Sequence, residues 1–226
     1  MIPSLLDDDA MYTIAPYVLE AIRECKVLFV ENERTARRFL KKLDKSIIID
    51  QFEWIAIHKS EELAVDLLRK NLTEGKIIGV ISEAGCPGIA DPGQLLASIA
   101  QEMQIPVIPL VGPSSILLAL MASGMNGQQF RFVGYLPISQ PERQQKIREL
   151  ETESQKTRCT QIFIETPYRN NQLLESLLKT CKPQTRLCIA VNITGKKEHI
   201  QTKTVSQWKL KQPDLQKEPA IFLLLA

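Results

Sequence analysis

Histidine, paired cysteine and long apolar runs are all scarce in this chain of 226 residues. It has two histidines, and none of its five cysteines forms a Cys-x-x-Cys pair. This composition argues against a metal site and against a histidine-based catalytic triad, and it predicts free thiols in a reducing, cytoplasmic compartment. No apolar run approaches the length of a membrane span, and no basic segment followed by an apolar core begins the chain. We therefore expect neither a membrane anchor nor a secretory signal.

The formal net charge of +2 conceals an uneven distribution. Residues 1–110 hold 12 Lys/Arg and 17 Asp/Glu, a net charge of −5, whereas residues 111–226 hold 16 and 9, a net charge of +7. A basic half favours a polyanionic partner such as RNA. A solvated, lysine-rich surface is the alternative.

The rest of the chain is organised around the stretch from Ile77 to Gly93. It opens with a β-branched apolar run, typical of a buried strand, and continues with three glycines and two prolines within nine residues. A helical pattern follows, and a second strand is predicted from Val107 to Val111, ending in Gly112-Pro113. Such a crossover leaves both strands parallel. Both loops should therefore lie at the carboxyl edge of the sheet, where open α/β sheets bind ligands.

Two interpretations of the first loop stay open. Asp91 can be the N-cap of the following helix in an ordinary strand-to-helix turn, or the loop backbone can pass close to a ligand. A Rossmann-type phosphate turn is a poor match, because Pro87 interrupts the place where helix N–H groups would face a phosphate.

Three blocks of sequence carry a resemblance to a known family. Ser82–Gly93 is similar to the S-D-A-G-T-P-x-I-S-D-P-G signature of the tetrapyrrole-methylase superfamily, the class III S-adenosylmethionine (SAM)-dependent methyltransferases. Leu110–Ser115 resembles the L-P-G-P-S/C-A block, and Phe163–Arg169 the F-Y-E-S-P-H-R block, of the ribosomal-RNA small-subunit methyltransferase I branch. The order and spacing of the three blocks make the match specific, and it covers nearly the whole chain.

The resemblance implies an α/β fold with two domains of the tetrapyrrole-methylase type and with SAM in the cleft between them. The N-terminal domain, residues 1–112, would hold a parallel sheet with flanking helices and the donor loop. The C-terminal domain, residues 113–226, would hold a mixed sheet that completes the SAM site, in keeping with its many strands and few crossovers. The resemblance also implies a homodimer, and the apolar helix predicted at 114–123 needs a cover.

The resemblance further implies roles for individual residues. Those expected to bind SAM are Pro3, Glu83, Ala84, Gly85, Cys86, Ile89, Ala90, Pro113, Ser114, Ser115, Glu165, Asn192 and Ile193. Those expected to bind the substrate are Arg34, Arg37, Arg38 and Arg169. If the acceptor is a ribose 2′-hydroxyl, a base must take its proton, and the candidates are Glu83, Lys196 and Lys197. Ser114 and Ser115 can alternatively serve only as a helix N-cap.

The chain departs from the family pattern at three places. The first loop has Ile2-Pro3-Ser4 but lacks the expected glycine, so the chain is either shortened or rebuilt there. Glu31–Arg34 resembles E-D-T-R with Asn32 in place of the acidic residue. Asn192–Lys197 replaces the usual R-E-L-T-K, and this departure bears more on RNA as substrate than on SAM binding.

A stripe of six cations follows the E-D-T-R block, at helical spacing. Its members are Arg34, Arg37, Arg38, Lys41, Lys42 and Lys45. The stripe is either a solvated helix face or a contact for RNA phosphates. Other helices are predicted at about 14–25, at 60–72 with Ser60 as N-cap, at 140–157, and from Asn170, as cap, to Lys179.

Three functions stay open. The first is an RNA 2′-O-methyltransferase acting on ribosomal RNA or on the small ribosomal subunit, favoured by the motifs, the basic second half and the stripe. The second is a methylase of a small molecule such as a tetrapyrrole. The third is a SAM-binding protein without chemistry, which the altered first loop and the displaced lysine motif would allow.

Overall fold

The computed structural model describes residues 1–57 and 62–226, and the prediction that Ser60 is an N-cap lies outside them. The chain divides into two compact units, residues 1–114 and 115–226. No helix in the described part of the chain is long and apolar enough to cross a membrane.

The first unit is a three-stranded parallel sheet of order β2-β1-β3 with helices on both faces. Its elements are α1 (Pro16–Glu24), β1 (Val27–Val30), α2 (Glu33–Leu43), β2 (Glu53–Ala56), α3 (Glu62–Thr73), β3 (Ile78–Ile81) and α4 (Gln94–Glu102). Short 3-10 turns lie at Met11–Thr13 and Ile49–Gln51.

β1 shows why this unit has three layers. All four of its residues are buried, and successive side chains point to opposite faces of the sheet. Leu28 and Val30 pack with α1 and α2, whereas Val27 and Phe29 pack with α3 and α4. A strand that is apolar on both faces needs helices on both faces, as in α/β proteins.

The predicted strand at 107–111 is wrong: no strand forms there. The segment bonds to Met1, whose amino group donates to the Ile108 carbonyl at 2.9 Å and whose carbonyl accepts from the Leu110 N–H at 3.0 Å. Ile2 in turn donates to the Val80 carbonyl at 2.9 Å and forms an isolated parallel bridge with Ile81. The Val111 N–H donates to the Tyr17 hydroxyl, a side chain, at 2.6 Å, so these bonds do not continue as the repeated hydrogen bonds of a ladder.

The second unit is a five-stranded mixed sheet of order β4-β5-β8-β6-β7. Its elements are α5 (Ser115–Ser123), β4 (Phe130–Tyr135), α6 (Gln140–Thr157), β5 (Thr160–Ile164), α7 (Asn170–Thr180), β6 (Arg186–Val191), β7 (His199–Thr204), α8 (Val205–Leu210) and β8 (Ala220–Leu225). Only β4 and β5 pair in parallel, and β8 pairs antiparallel with both β5 and β6. The prediction of a mixed sheet is confirmed.

Two residues at helix ends in the second unit have different roles. Gly124 has φ 64° directly after α5, as expected of a residue that ends a helix in the left-handed region. Asn170, however, does not cap α7, because Arg169 holds the N-cap position without a side-chain cap. The Asn170 amide instead donates to the Glu218 carbonyl at 2.7 Å, so this buried side chain joins α7 to the segment before β8.

Candidate functional site

The loop after β3 is folded tightly on itself. Gly85, Gly88 and Gly93 have φ of 71°, 80° and 120°, values that residues with a Cβ rarely adopt. The Gly88 N–H donates to the Pro92 carbonyl at 3.1 Å, and the Ile89 N–H donates to the Cys86 carbonyl at 3.2 Å. The sequence is rich in glycine here because the backbone needs these left-handed conformations.

Three backbone segments meet at this loop. The Ser4 N–H donates to the Gly85 carbonyl at 2.8 Å, and the Cys86 thiol approaches the Pro113 carbonyl at 3.5 Å. A Cβ placed on Gly112 would lie 2.0 Å from the Pro3 Cβ, so only glycine fits there. The two loops thus lie together although segment 107–111 is not a strand, and we call residues 3–4, 82–93 and 112–114 the loop cluster.

Asp91 is not the N-cap of α4: that position belongs to Gly93, which provides no side chain. Asp91 lies close enough to Glu31 and Glu83 for their charges to act on it, and we call these three residues the acidic cluster. Burial, followed by the charges of Glu31 and Glu83, raises the pKa of Asp91 to about 6. The loop therefore holds a carboxyl group whose titration extends toward neutral pH.

Glu83 is held on two sides within the acidic cluster. Its Oε1 accepts from the Thr35 hydroxyl at 2.8 Å, and its backbone N–H donates to Glu31 Oε2 at 3.1 Å. Asn32 is neutral where the E-D-T-R pattern has an acidic residue, but it still caps α2. Its Oδ1 accepts from the Arg34 and Thr35 N–H groups. The start of α2 and the loop cluster are thereby joined.

The six cations of the stripe have different surroundings in the structure. Arg37 pairs with Glu33 at 2.6 Å and lies over the Trp54 ring, 5.0 Å from its centroid. Lys41 donates to backbone carbonyls beyond the end of α2, and Lys42 pairs with Asp8. Lys45 lies outside the helix.

Arg34 and Arg38 are exposed and form no ion pair among the described residues. They are therefore the members of the stripe on α2 that are most available to an anion.

In the second unit, Glu165 lies just beyond the end of a strand, as Glu83 does in the first unit. It follows β5 directly and its side chain is only 1% exposed. Oε1 accepts from the Arg169 guanidinium at 2.7 Å and from the Thr166 N–H at 2.7 Å, whereas Oε2 has no hydrogen-bond partner in the described chain. Buried carboxylate oxygens are normally satisfied, so this oxygen is a candidate ligand contact.

Asn192 ends β6 at the same edge of that sheet. Its backbone φ is 50°, and its amide donates to Glu218 Oε2 at 2.6 Å, just before β8. Because β8 lies between β5 and β6, the two strand ends and the residues preceding β8 are brought close together.

A comparison with known proteins identifies the fold. The family model "Tetrapyrrole (Corrin/Porphyrin) Methylases" matches residues 10–208. The chain belongs to this family. The resemblance inferred from the three motifs is thereby confirmed.

Relatives of this chain include proteins that carry the name ribosomal RNA small subunit methyltransferase I. The one from Halalkalibacterium halodurans is 31% identical over 160 residues, which are 71% of this chain and 53% of that protein. The one from Vibrio cholerae is 29% identical over 189 residues, 83% of this chain and 62% of that protein. The chain thus spans between half and two thirds of the length of these curated relatives.

Solved structures show the same fold at low identity. Diphthine synthase has a TM-score of 0.70 and 14% identity, with 99% of this chain and 87% of that one covered. Uroporphyrin-III C-methyl transferase from Thermus thermophilus, complexed with S-adenyl homocysteine, has a TM-score of 0.56 and 15% identity, covering 96% and 92%. The predicted α/β fold is confirmed.

The predicted site residues fall into separate places. Pro3, Glu83–Cys86 and Pro113 belong to the loop cluster, whereas Ile89 and Ala90 are exposed on its outer turn. Lys196 and Lys197 are exposed on the β6–β7 connection, without the buried setting in which a lysine readily acts as a base. Ile193 is buried in the second unit.

Sequence reasoning missed three polar residues of the site. Thr35 and Glu31 hold Glu83, and Glu218 holds Asn192. Glu31 belongs to the block that resembles E-D-T-R, so this resemblance was a usable signal for Glu31, whereas Thr35 lies directly after the block. Glu218 stands in an ordinary polar segment, and nothing in the pattern distinguishes it.

Proposed function

We propose that this protein is a SAM-dependent methyltransferase that methylates a ribose 2′-hydroxyl of ribosomal RNA. The observation that carries the proposal is the loop cluster, where Pro3-Ser4, Gly85-Cys86 and Gly112-Pro113 meet through backbone contacts. The names of the relatives support ribosomal RNA as the substrate class, and the S-adenyl homocysteine complex of a protein of like fold supports the donor.

The residues present fit SAM chemically. Bound SAM supplies a methyl group on a positively charged sulfur, and that charge disappears in the transition state. A pocket lined by backbone amides and carbonyls suits such a donor, because it holds the ligand without surrounding it with strongly charged groups. The unpartnered Oε2 of Glu165 requires a hydroxyl or ammonium donor, and SAM carries both groups. The position of SAM between the two domains stays a prediction.

RNA is the favoured acceptor because of charge and exposure. The second half of the chain has a net charge of +7, and Arg34 and Arg38 extend from α2 into solvent. Neutralising phosphates is a large contribution to RNA binding. Arg169 is committed to Glu165, so we assign it to orienting that carboxylate.

We expect the protein to bind S-adenosylhomocysteine and not NAD in calorimetry. It should also transfer labelled methyl groups from SAM to small-subunit ribosomal RNA transcribed in vitro. Ligand loops built from glycine and proline, without a phosphate-binding helix start, are unsuited to a dinucleotide. NAD binding without S-adenosylhomocysteine binding would contradict the proposal, and methylation of a tetrapyrrole but not of RNA would replace its acceptor.

The proposal includes a homodimer in the cytoplasm. α5 exposes 51% of Leu117 and 79% of Met121, and closed two-fold dimers are the commonest oligomers. Sedimentation should give the dimer mass at micromolar concentration. Met121→Glu should shift the mass toward that of the monomer. Leu210→Glu is the control: it also changes an exposed apolar residue but should leave the dimer intact. A monomeric wild-type protein would disprove the dimer. The five free cysteines suit a reducing compartment.

A further inference from the structure

A cavity in the first unit lies directly beside the loop cluster. Its volume is about 380 Å³, and its walls come from three parts of that unit: residues 4–8, the first three turns of α2, and residues 81–84. Because Ser82, Glu83 and Ala84 belong both to this cavity and to the loop cluster, a molecule bound here would lie next to the proposed methyl donor.

The walls of the cavity carry opposite charges on opposite sides. Arg38 and Lys42 enter from α2, one helical turn apart, and Glu83 enters from the loop. Lys42 is already paired with Asp8 at 2.5 Å, whereas Arg38 forms no ion pair with any described residue. The lining thus holds the carboxyl groups of Asp7, Asp8 and Glu83, and Arg38 is its one cation without an ion pair among the described residues.

Glu83 presents its carboxylate in a fixed orientation. The Thr35 hydroxyl donates to Oε1, and Glu31 anchors the backbone N–H of the same residue. These two hydrogen bonds hold the residue both at its backbone and at Oε1. A base held in place by hydrogen bonds needs little reorganisation during proton transfer.

We propose that this cavity binds the acceptor nucleotide, with Glu83 as the base for the ribose 2′-hydroxyl and Arg38 as the partner of an adjacent phosphate. This inference rests on the proposed function. A nucleotide presents a hydroxyl to be deprotonated close to a single negative charge, which matches the Glu83 carboxylate and the Arg38 guanidinium in the lining of one cavity. A tetrapyrrole bearing several carboxylates would face repulsion from Asp7, Asp8 and Glu83.

The proposed step balances as a displacement. The 2′-oxygen attacks the methyl carbon and forms the C–O bond as the C–S bond breaks, and the electron pair of that bond returns to the sulfur. The hydroxyl proton passes to Glu83 Oε2 and then to water. Thr35 acts as a positioning residue, since its hydroxyl donates to Glu83 Oε1.

Three variants separate these roles. Glu83→Gln should lower the single-turnover rate on in vitro transcribed small-subunit RNA, measured at saturating SAM and RNA, at least about 100-fold. Thr35→Val should lower the same rate by a smaller factor than Glu83→Gln does. Thr35→Ser should have a rate near that of the wild type, because the hydroxyl is kept. Arg38→Gln should weaken RNA binding about tenfold and reduce the salt slope by about one.

Matched controls and independent binding measurements keep the outcome clear. Arg34→Gln, on the same helix but outside the cavity, should weaken RNA binding much less than Arg38→Gln. A normal rate in Glu83→Gln, or equal effects at Arg34 and Arg38, would overturn the acceptor site. Wild-type protein that binds no S-adenosylhomocysteine would instead refute the proposed function itself, so the two failures are distinguishable.

Discussion

Replacing Gly112 with alanine is expected to disrupt the loop cluster. The new Cβ would lie 2.0 Å from the Pro3 Cβ and 2.5 Å from its Cγ, far inside any van der Waals contact. Because the proline ring is rigid, the backbone at 112–113 must move, and with it the Pro113 carbonyl that the Cys86 thiol approaches. We expect the free energy of unfolding to fall by about 1–3 kcal/mol, measured by denaturant unfolding.

The same variant tests the proposed donor site. Calorimetry should show S-adenosylhomocysteine affinity reduced at least about tenfold. Moving the backbone groups that position a ligand by about 1 Å is enough for a loss of this size or larger. Gly127→Ala is the matched control, because no atom lies within 4 Å of its new Cβ. Its unfolding free energy should stay within about 0.5 kcal/mol of the wild type. Unchanged stability and affinity in Gly112→Ala would contradict the close contact with Pro3.

Replacing Asp91 with asparagine is expected to change how stability depends on pH. The pKa of Asp91 is raised from 3.8 to about 6 in the folded protein, first by burial and then by Glu31 and Glu83. The folded state therefore binds this proton more tightly than the unfolded state does. The wild-type free energy of unfolding should accordingly decrease as pH rises from about 4 to 6, and the full penalty should persist above that range.

The amide of an asparagine is neutral at every pH, so Asp91→Asn should remove this decrease. The full shift of the Asp91 pKa is equivalent to about 3 kcal/mol of unfolding free energy. Solvent screening at this half-buried position lowers the gain in unfolding free energy expected for the variant at pH 7 to about 1–2 kcal/mol. Denaturant unfolding at pH 4, 5, 6 and 7 measures it. Glu31→Gln should give an intermediate slope, because it removes one of the two neighbouring charges. A wild-type slope in Asp91→Asn would show that Asp91 is not the group responsible.

The β-strands show where sequence patterns suffice. The apolar run of β1, Val27–Val30, is a sufficient signal, because four successive apolar residues between polar ones are typical of a strand buried on both faces. Val107–Val111 carries the same type of pattern and yet is not a strand. A strand exists only where a neighbouring segment provides a ladder, whereas Ile108 and Leu110 bond to Met1 and Val111 bonds to the Tyr17 side chain.

Capping residues show a second limit. Asn32, Asp91 and Asn170 all have side chains suited to an N-cap, and only Asn32 performs that role. Asn170 binds the Glu218 carbonyl, and Asp91 lies in the acidic cluster. Helix α8 was missed altogether, although Thr204 and Gln207 form a capping box at its start. A polar six-residue helix has too short an apolar pattern to be detected, and the burial of Trp208 against the core stabilises it.

The sequence by itself determined the family, the α/β class and the loops that carry the proposed chemistry, because glycine and proline at fixed spacing dictate backbone conformation locally. Only the tertiary structure decided which side chains meet. Glu83 is oriented by Thr35, 48 residues away, and Glu165 is left with an unpartnered oxygen because Arg169 occupies only the other one. Such pairings depend on how strands and helices pack in space, and no local pattern in the chain encodes them.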